Sequence, residues 1–244
     1  MANPAAPNPD PAFATTRWSL VLAASDRAAP ASRAALSELC ALYWYPLYAF
    51  LRRGGSAEDE AMDLVQGFVA RLLEKGDVKA DPGRGRFRAY VLGALQHYQA
   101  NVRRADRAAS RGGGRERASL DLDGAAARYA AESVDAASPQ ALFERRWALA
   151  ILDRALARLD DEYRERGRGR LFAALRVTLT STHTGETYAE KALALGVSES
   201  AIKVAVHRLR RRMGELVRDE IAQTVATPAD VEQELQHLFE ALAP

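Results

Sequence analysis

The chain has 244 residues, 48% of them hydrophobic, with 34 Lys and Arg against 32 Asp and Glu. That length can bury a core in one or two domains, while a net charge of +2 by itself selects no partner. No run approaches the roughly 20 apolar residues of a membrane helix, so the chain reads as soluble, with no membrane insertion.

Residues 1–14, MANPAAPNPDPAFA, have neither a basic start nor an apolar core and read as a disordered arm rather than a secretory signal. Thr15 or Thr16 can cap a short helix through Trp18 and Leu22. A longer helix starts near Ser32 and buries Cys40, Tyr43, Leu47 and Leu51, with a kink or break expected at Pro46. Cys40 is the sole cysteine, which excludes an intrachain disulfide and fits a reducing, cytoplasmic setting. The next helix opens at Ser56, where Ser-Ala-Glu-Asp resembles a capping box. Ala61, Leu64, Val65, Phe68 and Leu72 form its apolar face, and Glu58, Asp59, Glu60 and Asp63 gather in its first turns, where they suit the helix dipole. After the loop Asp81–Gly85, a third helix runs from about Arg86 to Arg104, with Phe87, Val91, Leu95, Tyr98 and Val102 at helical spacing.

Periodicity fades over 105–138, rich in Ala, Gly, Arg, Ser and Asp, which reads as a flexible linker with transient helix over 125–131. Ser138-Pro139 is an N-cap followed by Pro at the first helical position. That helix carries Phe143, Trp147, Ile151, Leu152, Leu156 and Leu159. Another follows from Gly169 to about Thr180, then the polar loop Ser181–Gly185. The organisation expected is therefore all-α: an arm (1–14), a helical domain (15–104), a linker (105–138), a second helical domain (139–218) and a C-terminal helical extension (219–244). The extension carries the stripe Val231, Leu235, Leu238, Phe239 and Leu242, which needs cover.

The most specific signal is 186–212, ETYAEKALALGVSESAIKVAVHRLRRR. It predicts a helix from about Thr187 to Leu195, a left-handed stop at Gly196 and an N-cap at Ser198. In the second helix Ile202, Val206, Leu209, Met213 and Leu216 keep to one stripe at 100° per residue, the buried face. Ser200, Val204, His207 and Arg211 project from the other side, flanked by Lys203 and Arg208. Between Lys203 and Arg218 six Lys or Arg stand against one acid. A helix presented in this way fits the DNA major groove, and its Ser198 terminus can hold a phosphate.

Catalysis finds no support. His97, His183, His207 and His237 lack metal-ligand spacing, the glycines of Arg111–Arg115 precede no Lys-Ser/Thr, and no carboxylate pair stands out. No catalytic residue, metal or cofactor is expected.

Two helical units, the second ending in a basic helix-turn-helix, resemble the sigma-70 family of RNA polymerase sigma factors, and most closely its extracytoplasmic-function (ECF) type. YAEKALALGVSESAIKVAVHRLRRR is similar to the family's region 4. AEDEAMDLVQGFVARLL and RFRAYVLGALQHYQANVRR are similar to regions 2.1–2.2 and 2.3–2.4. The resemblance implies a factor that joins core RNA polymerase and directs initiation at promoter DNA. Glu60, Asp63 and Gln66 would face the beta-prime clamp helices, and the second domain would contact the beta flap. Arg86, Arg88, Tyr90, Tyr98, Asn101, Arg103 and Arg104 would read and help melt the −10 element, where opened bases need aromatics interleaved with Arg. Ser198, Ser200, Lys203, Val204, His207, Arg208 and Arg211 would read the −35 element. An anti-sigma factor, or self-regulation through the extension, would fit as a further partner.

Phe87 and Tyr98 also suit a core, which leaves Tyr90 as the better stacking candidate, and the acidic cluster also suits a helix N-terminus alone. Gly67 stands where the family usually has an acid, and it weakens the helix by about 1 kcal/mol relative to Ala. The Ser181–Gly185 loop and the tail after Arg218 are longer than the minimal family pattern. Two other readings stay open: a stand-alone helix-turn-helix regulator with a sensing or dimerising N-terminal domain, and a helical adaptor using the basic helix on RNA.

Overall fold

Helical spacing of the apolar residues decides the architecture. The computed structural model describes residues 30–75, 86–108, 125–130, 138–180, 186–225 and 227–243, and among them there are helices and turns but no strand. The expected arm and Trp18 helix, the Asp81–Gly85 and Ser181–Gly185 loops and most of the 105–138 segment lie outside the described residues. In chain order the helices are α1 (Pro30–Arg53), α2 (Glu58–Lys75), α3 (Phe87–Ala108), α4 (Ala125–Ala130), α5 (Pro139–Glu165), α6 (Gly169–Leu175) with a 3-10 turn (Arg176–Leu179), α7 (Tyr188–Leu195), α8 (Glu199–Ala222) and α9 (Pro228–Leu242). They divide into two units, one of Met1–Leu149 with Ala222–Pro244, the other of Ala150–Ile221. No described helix is long and apolar enough to cross a membrane.

In the first unit, α1 runs unbroken through Pro46, where the sequence suggested a kink or break. Proline in a helix interior costs about 3 kcal/mol. Tyr43, Leu47, Tyr48 and Leu51 around it are each at most 2% exposed, and each contributes about 1.5–3 kcal/mol on burial, so packing outweighs the lost hydrogen bond. The helix stops in a Schellman turn. Gly55 has φ 92°, its N–H reaches the Arg52 carbonyl at 3.1 Å, and the Ser56 N–H reaches Leu51 at 3.0 Å. Closing α1 in this way occupies Ser56. Its hydroxyl is buried without a hydrogen-bond partner among the described residues, so the expected capping box does not form and α2 starts at Glu58.

Ala61, Leu64, Val65, Phe68 and Val69 of α2 and Phe87, Val91, Leu92 and Leu95 of α3 are buried. Tyr43 meets Phe87 edge-on, with ring centroids 5.5 Å apart. Gly67 has a packing reason: a Cβ there would collide with the Tyr98 hydroxyl of α3, whose ring lies 6.0 Å from Phe68. The short α4 is seated on α1. Its Tyr129 packs edge-on against Tyr48, Arg52 lies over Tyr129 at 5.1 Å, and Arg128 lies over Tyr45 at 4.1 Å. At the start of α5 the Ser138 hydroxyl accepts the Ala141 N–H at 3.1 Å, the cap the sequence predicts. The Asp230 carboxylate accepts from the Thr227 N–H at 3.1 Å to open α9, which buries Glu234, Leu235 and Leu238.

The second unit is built on the remainder of α5. Ile151, Ala155 and Leu159 are fully buried, as are Leu175 of α6 and Ile202, Leu209 and Leu216 of α8. Glu220 of α8, 2% exposed, accepts from Arg154 at 3.0 Å and Arg158 at 2.8 Å. Arg212 forks onto Glu162 at 2.6 and 3.0 Å, and Arg210 donates to the Thr178 carbonyl at 2.8 and 3.2 Å. Hydrogen bonds from Arg212 hold the Glu162 carboxyl below the usual range, against the opposing effect of burial.

A depressed carboxylate stabilises the fold above its unfolded pKa, about 4.3, and that contribution is lost as pH falls through the folded value. Glu162→Gln should therefore unfold at a lower temperature than wild type at pH 7, with the gap shrinking by pH 3. A gap independent of pH in thermal unfolding would remove Glu162 from that role. Gly67→Ala should gain helix propensity but meet Tyr98. In a Tyr98→Phe background the same change should stabilise by about 1 kcal/mol, the propensity alone, whereas beside an intact Tyr98 the collision should offset that gain. A denaturant double-mutant cycle measures this, and strict additivity would count against the close packing.

Candidate nucleic-acid interface

In the second unit a helix-turn-helix assembles from local chemistry. The Thr187 hydroxyl accepts the Glu190 N–H at 3.2 Å, and the Glu190 carboxylate accepts the Thr187 N–H at 2.6 Å. This is a complete capping box, and those hydrogen bonds lower the Glu190 pKa. Gly196 takes φ 66° and closes α7, with the Val197 N–H reaching the Ala192 carbonyl at 3.0 Å. The Ser198 hydroxyl then accepts the Ala201 N–H at 3.2 Å and caps α8. The helices, the left-handed stop and the cap all fall where the sequence puts them.

Ile202, Val206 and Leu209 are at most 3% exposed, so the opposite face of α8 is turned outward. Ser198, Ser200, Lys203, Val204, His207, Arg208 and Arg211 are all exposed. Lys203 pairs with Glu199 at 2.7 Å and Arg211 with Glu215 at 3.1 Å, both between exposed side chains one turn apart. Such pairs are weak and exchange readily for other anions. Val204 is 48% exposed, and Leu193 and Val197 of the same motif are also exposed; apolar groups on such a face match the methyl of thymine. Ser198, Ser200, Val204 and Arg208 border a groove of about 380 Å³ whose far wall includes Arg168. Sequence reasoning passed over Arg168, although the basic run Arg164–Arg170 signals it. Arg210, in the middle of the basic helix, braces the 3-10 turn.

In the first unit the seven residues assigned to melting divide into three groups. Tyr90, Tyr98 and Asn101 line one groove of about 260 Å³, with His97 of α3 and Arg71 and Phe68 of α2. Tyr90 stacks on Phe87 at 6.1 Å. Arg104 donates to Asn101 at 2.9 Å toward the other end of α3. Arg71 and His97 are the members the sequence reading missed; His97 stands one turn from Asn101, a spacing that could have marked it. Arg103 is set apart, on Glu60 at 3.3 Å. Arg86 and Arg88 are bound to α9: Arg86 lies 3.0 Å from one oxygen of Glu234, and Arg88 bonds the other. Arg88 also meets Glu144 at 2.7 Å and lies 4.6 Å from the Trp147 ring centre. At 5% exposure it is an interior residue with no surface for DNA in this structure. Burial lowers its pKa, opposed by the Glu144 charge.

Glu60, Asp63 and Gln66 follow one another at three-residue steps on α2. The first two are exposed and Gln66 is half-buried. Among the described residues no group of His, Cys, Asp or Glu is placed to hold a metal ion. Cys40 is buried, and burial raises its thiol to about 12, which suppresses the thiolate.

Residues 47–219 match the family model described as ECF sigma factor. The match begins within α1, ends within α8 and leaves out α9. No curated protein and no solved structure matches the chain.

Proposed function

The chain belongs to the ECF sigma factor family, and on that basis we propose that it binds core RNA polymerase and reads two promoter elements, one with each unit. Family membership makes it a DNA-binding transcription initiation factor and not an enzyme. In the proposed reading, Glu60, Asp63 and Gln66 dock on the beta-prime clamp helices, and the groove of Tyr90, Tyr98 and Asn101 takes the −10 element as its strands part. The outward face of α8 enters the −35 major groove, and the work is done in the cytoplasm.

One observation carries this reading. The residues of α8 that would have to reach bases are exposed together, while the stripe that would have to hold the helix is buried. Melting asks for π-faces and cations along a groove; Tyr90, Tyr98 and Arg71 line it, and Arg104 stands beside its Asn101.

Mixing the protein with core polymerase and a pool of promoter fragments should give discrete runoff transcripts that depend on both components. Tight, sequence-specific binding without core and no transcripts with it would make the chain a stand-alone regulator, and a preference for RNA would make it an adaptor. On a promoter selected in this way, Arg211→Ala should cost about 1–3 kcal/mol of discrimination if Arg211 forks onto a base. Lys203→Ala should weaken binding on every sequence and reduce the salt slope by about one. Binding assays across a salt series separate the two effects, and unchanged binding in both variants would reject the outward face.

A further inference from the structure

We infer that the C-terminal helix is a working part of the −10 reader, with Glu234 as the positioning residue that presents Arg86 at the head of the groove. The inference rests on the reading of that groove proposed above. It concerns a helix outside the span that matches the family, so it is specific to this chain's own extension.

Glu234 is 2% exposed. A carboxylate is buried to that extent only with its charge answered: Arg88 hydrogen-bonds one oxygen, and the Arg86 Nε stands 3.0 Å from the other as an ion pair without hydrogen-bond geometry. Arg88 is itself buried and needs more than one anion, and Glu144 of α5 supplies the second. Two cations and two anions thus join the start of α3 to α5 and α9. The depth of the contact argues against a releasable cover. Leu235 and Leu238, beside Glu234, are 8% and 0% exposed, whereas segments that open in function come from weakly packed parts of a fold.

The two arginines play different parts. Arg88 is the internal anchor. The Arg86 side chain keeps 28% exposure and stands one turn before Tyr90. At 100° per residue Tyr90, His97 and Asn101 continue the same face, so the backbone position of Arg86 extends the line of the groove, while its guanidinium, outside the groove's lining, rests against Glu234. Left to itself, a long Arg side chain would sample many rotamers. Paired by charge with Glu234, its cation is confined near the start of that face.

Removing one member of a buried pair strands the other, whereas replacing both with apolar groups is often neutral for folding. The test therefore uses the full chain with Arg88→Met and Glu234→Leu together, in holoenzyme, on a promoter selected with wild-type holoenzyme. The expected result is a folded protein with wild-type affinity for core and wild-type protection of the −35 duplex. Open complexes, read by permanganate reactivity of unpaired thymines, should fall at least tenfold. Arg86→Ala alone should give a similar loss, and adding it to the double variant should lower opening no further. Glu234→Gln carries the same expectation should the double variant not fold, and Glu234→Asp should recover part of the opening. Unchanged opening would reduce the extension to packing, and increased opening would make it a brake. A parallel loss of core binding would mark general destabilisation. Each of these outcomes overturns the inference. Wild-type holoenzyme that opens no promoter would instead remove the −10 reading beneath it.

Discussion

A carboxylate taken out of water must have its charge answered, and each unit of this protein contains one that does. Glu234 in the first unit and Glu220 in the second are both 2% exposed, and each is bridged by two arginines. Removing one partner of a buried ion pair costs about 3–5 kcal/mol, a large share of the roughly 5–15 kcal/mol that keeps a domain folded. Alternative phases of these helices are penalised on that scale. With Glu220 held by Arg154 and Arg158, α8 has one rotation about its own axis that satisfies the pair. That rotation buries Ile202, Val206 and Leu209 and turns Ser200, Val204, His207 and Arg211 outward. The exposed face of α8 is thus a consequence of the buried charge as much as of the apolar stripe.

The helix-turn-helix was legible in the sequence because its determinants are local. Gly196 and Ser198 act on atoms within a few residues of themselves, and the α8 stripe is a periodicity of 3.6. The all-helical fold follows from the same rule. The first unit was harder to read where long-range pairing decides. Arg88 lies at helical spacing with the buried Leu92 and Leu95, so its position pointed inward while its charge pointed outward. Its partner Glu234 lies 146 residues away, and no periodicity in one sequence connects them. Ser56 shows a local conflict: the same residue closes one helix and was expected to open the next, and the Schellman turn takes it. Gly67 reads as a weak spot in α2 until the Tyr98 hydroxyl is seen against it.

The groove of the first unit was legible only in part. Tyr90, Tyr98 and Asn101 were chosen on chemistry, and the fold does bring them together. Arg71 comes from another helix, and His97, which lacks metal-ligand spacing, carries no signal in the sequence beyond its one-turn distance from Asn101. Arg86 and Arg103, selected by the same criterion, are drawn to carboxylates on α9 and α2. Composition could name the kinds of side chain a strand-opening surface needs. It could not tell which of them would also be drawn into ion pairs with distant carboxylates.

The distribution of duties along α8 bears on how such a protein diversifies. At 1.5 Å rise per residue, the segment from Ser200 to the Glu220 anchor extends about 30 Å. The side chains that would meet bases therefore sit well away from the pair that fixes the helix, and on the other side from its core stripe. Substitutions at positions 200, 204, 207 and 211 touch neither, so their effect on folding is small. On the proposed reading of α8, promoter preference can drift between lineages, or be rewritten by design, through changes at those four positions while the scaffold that presents them is inherited intact.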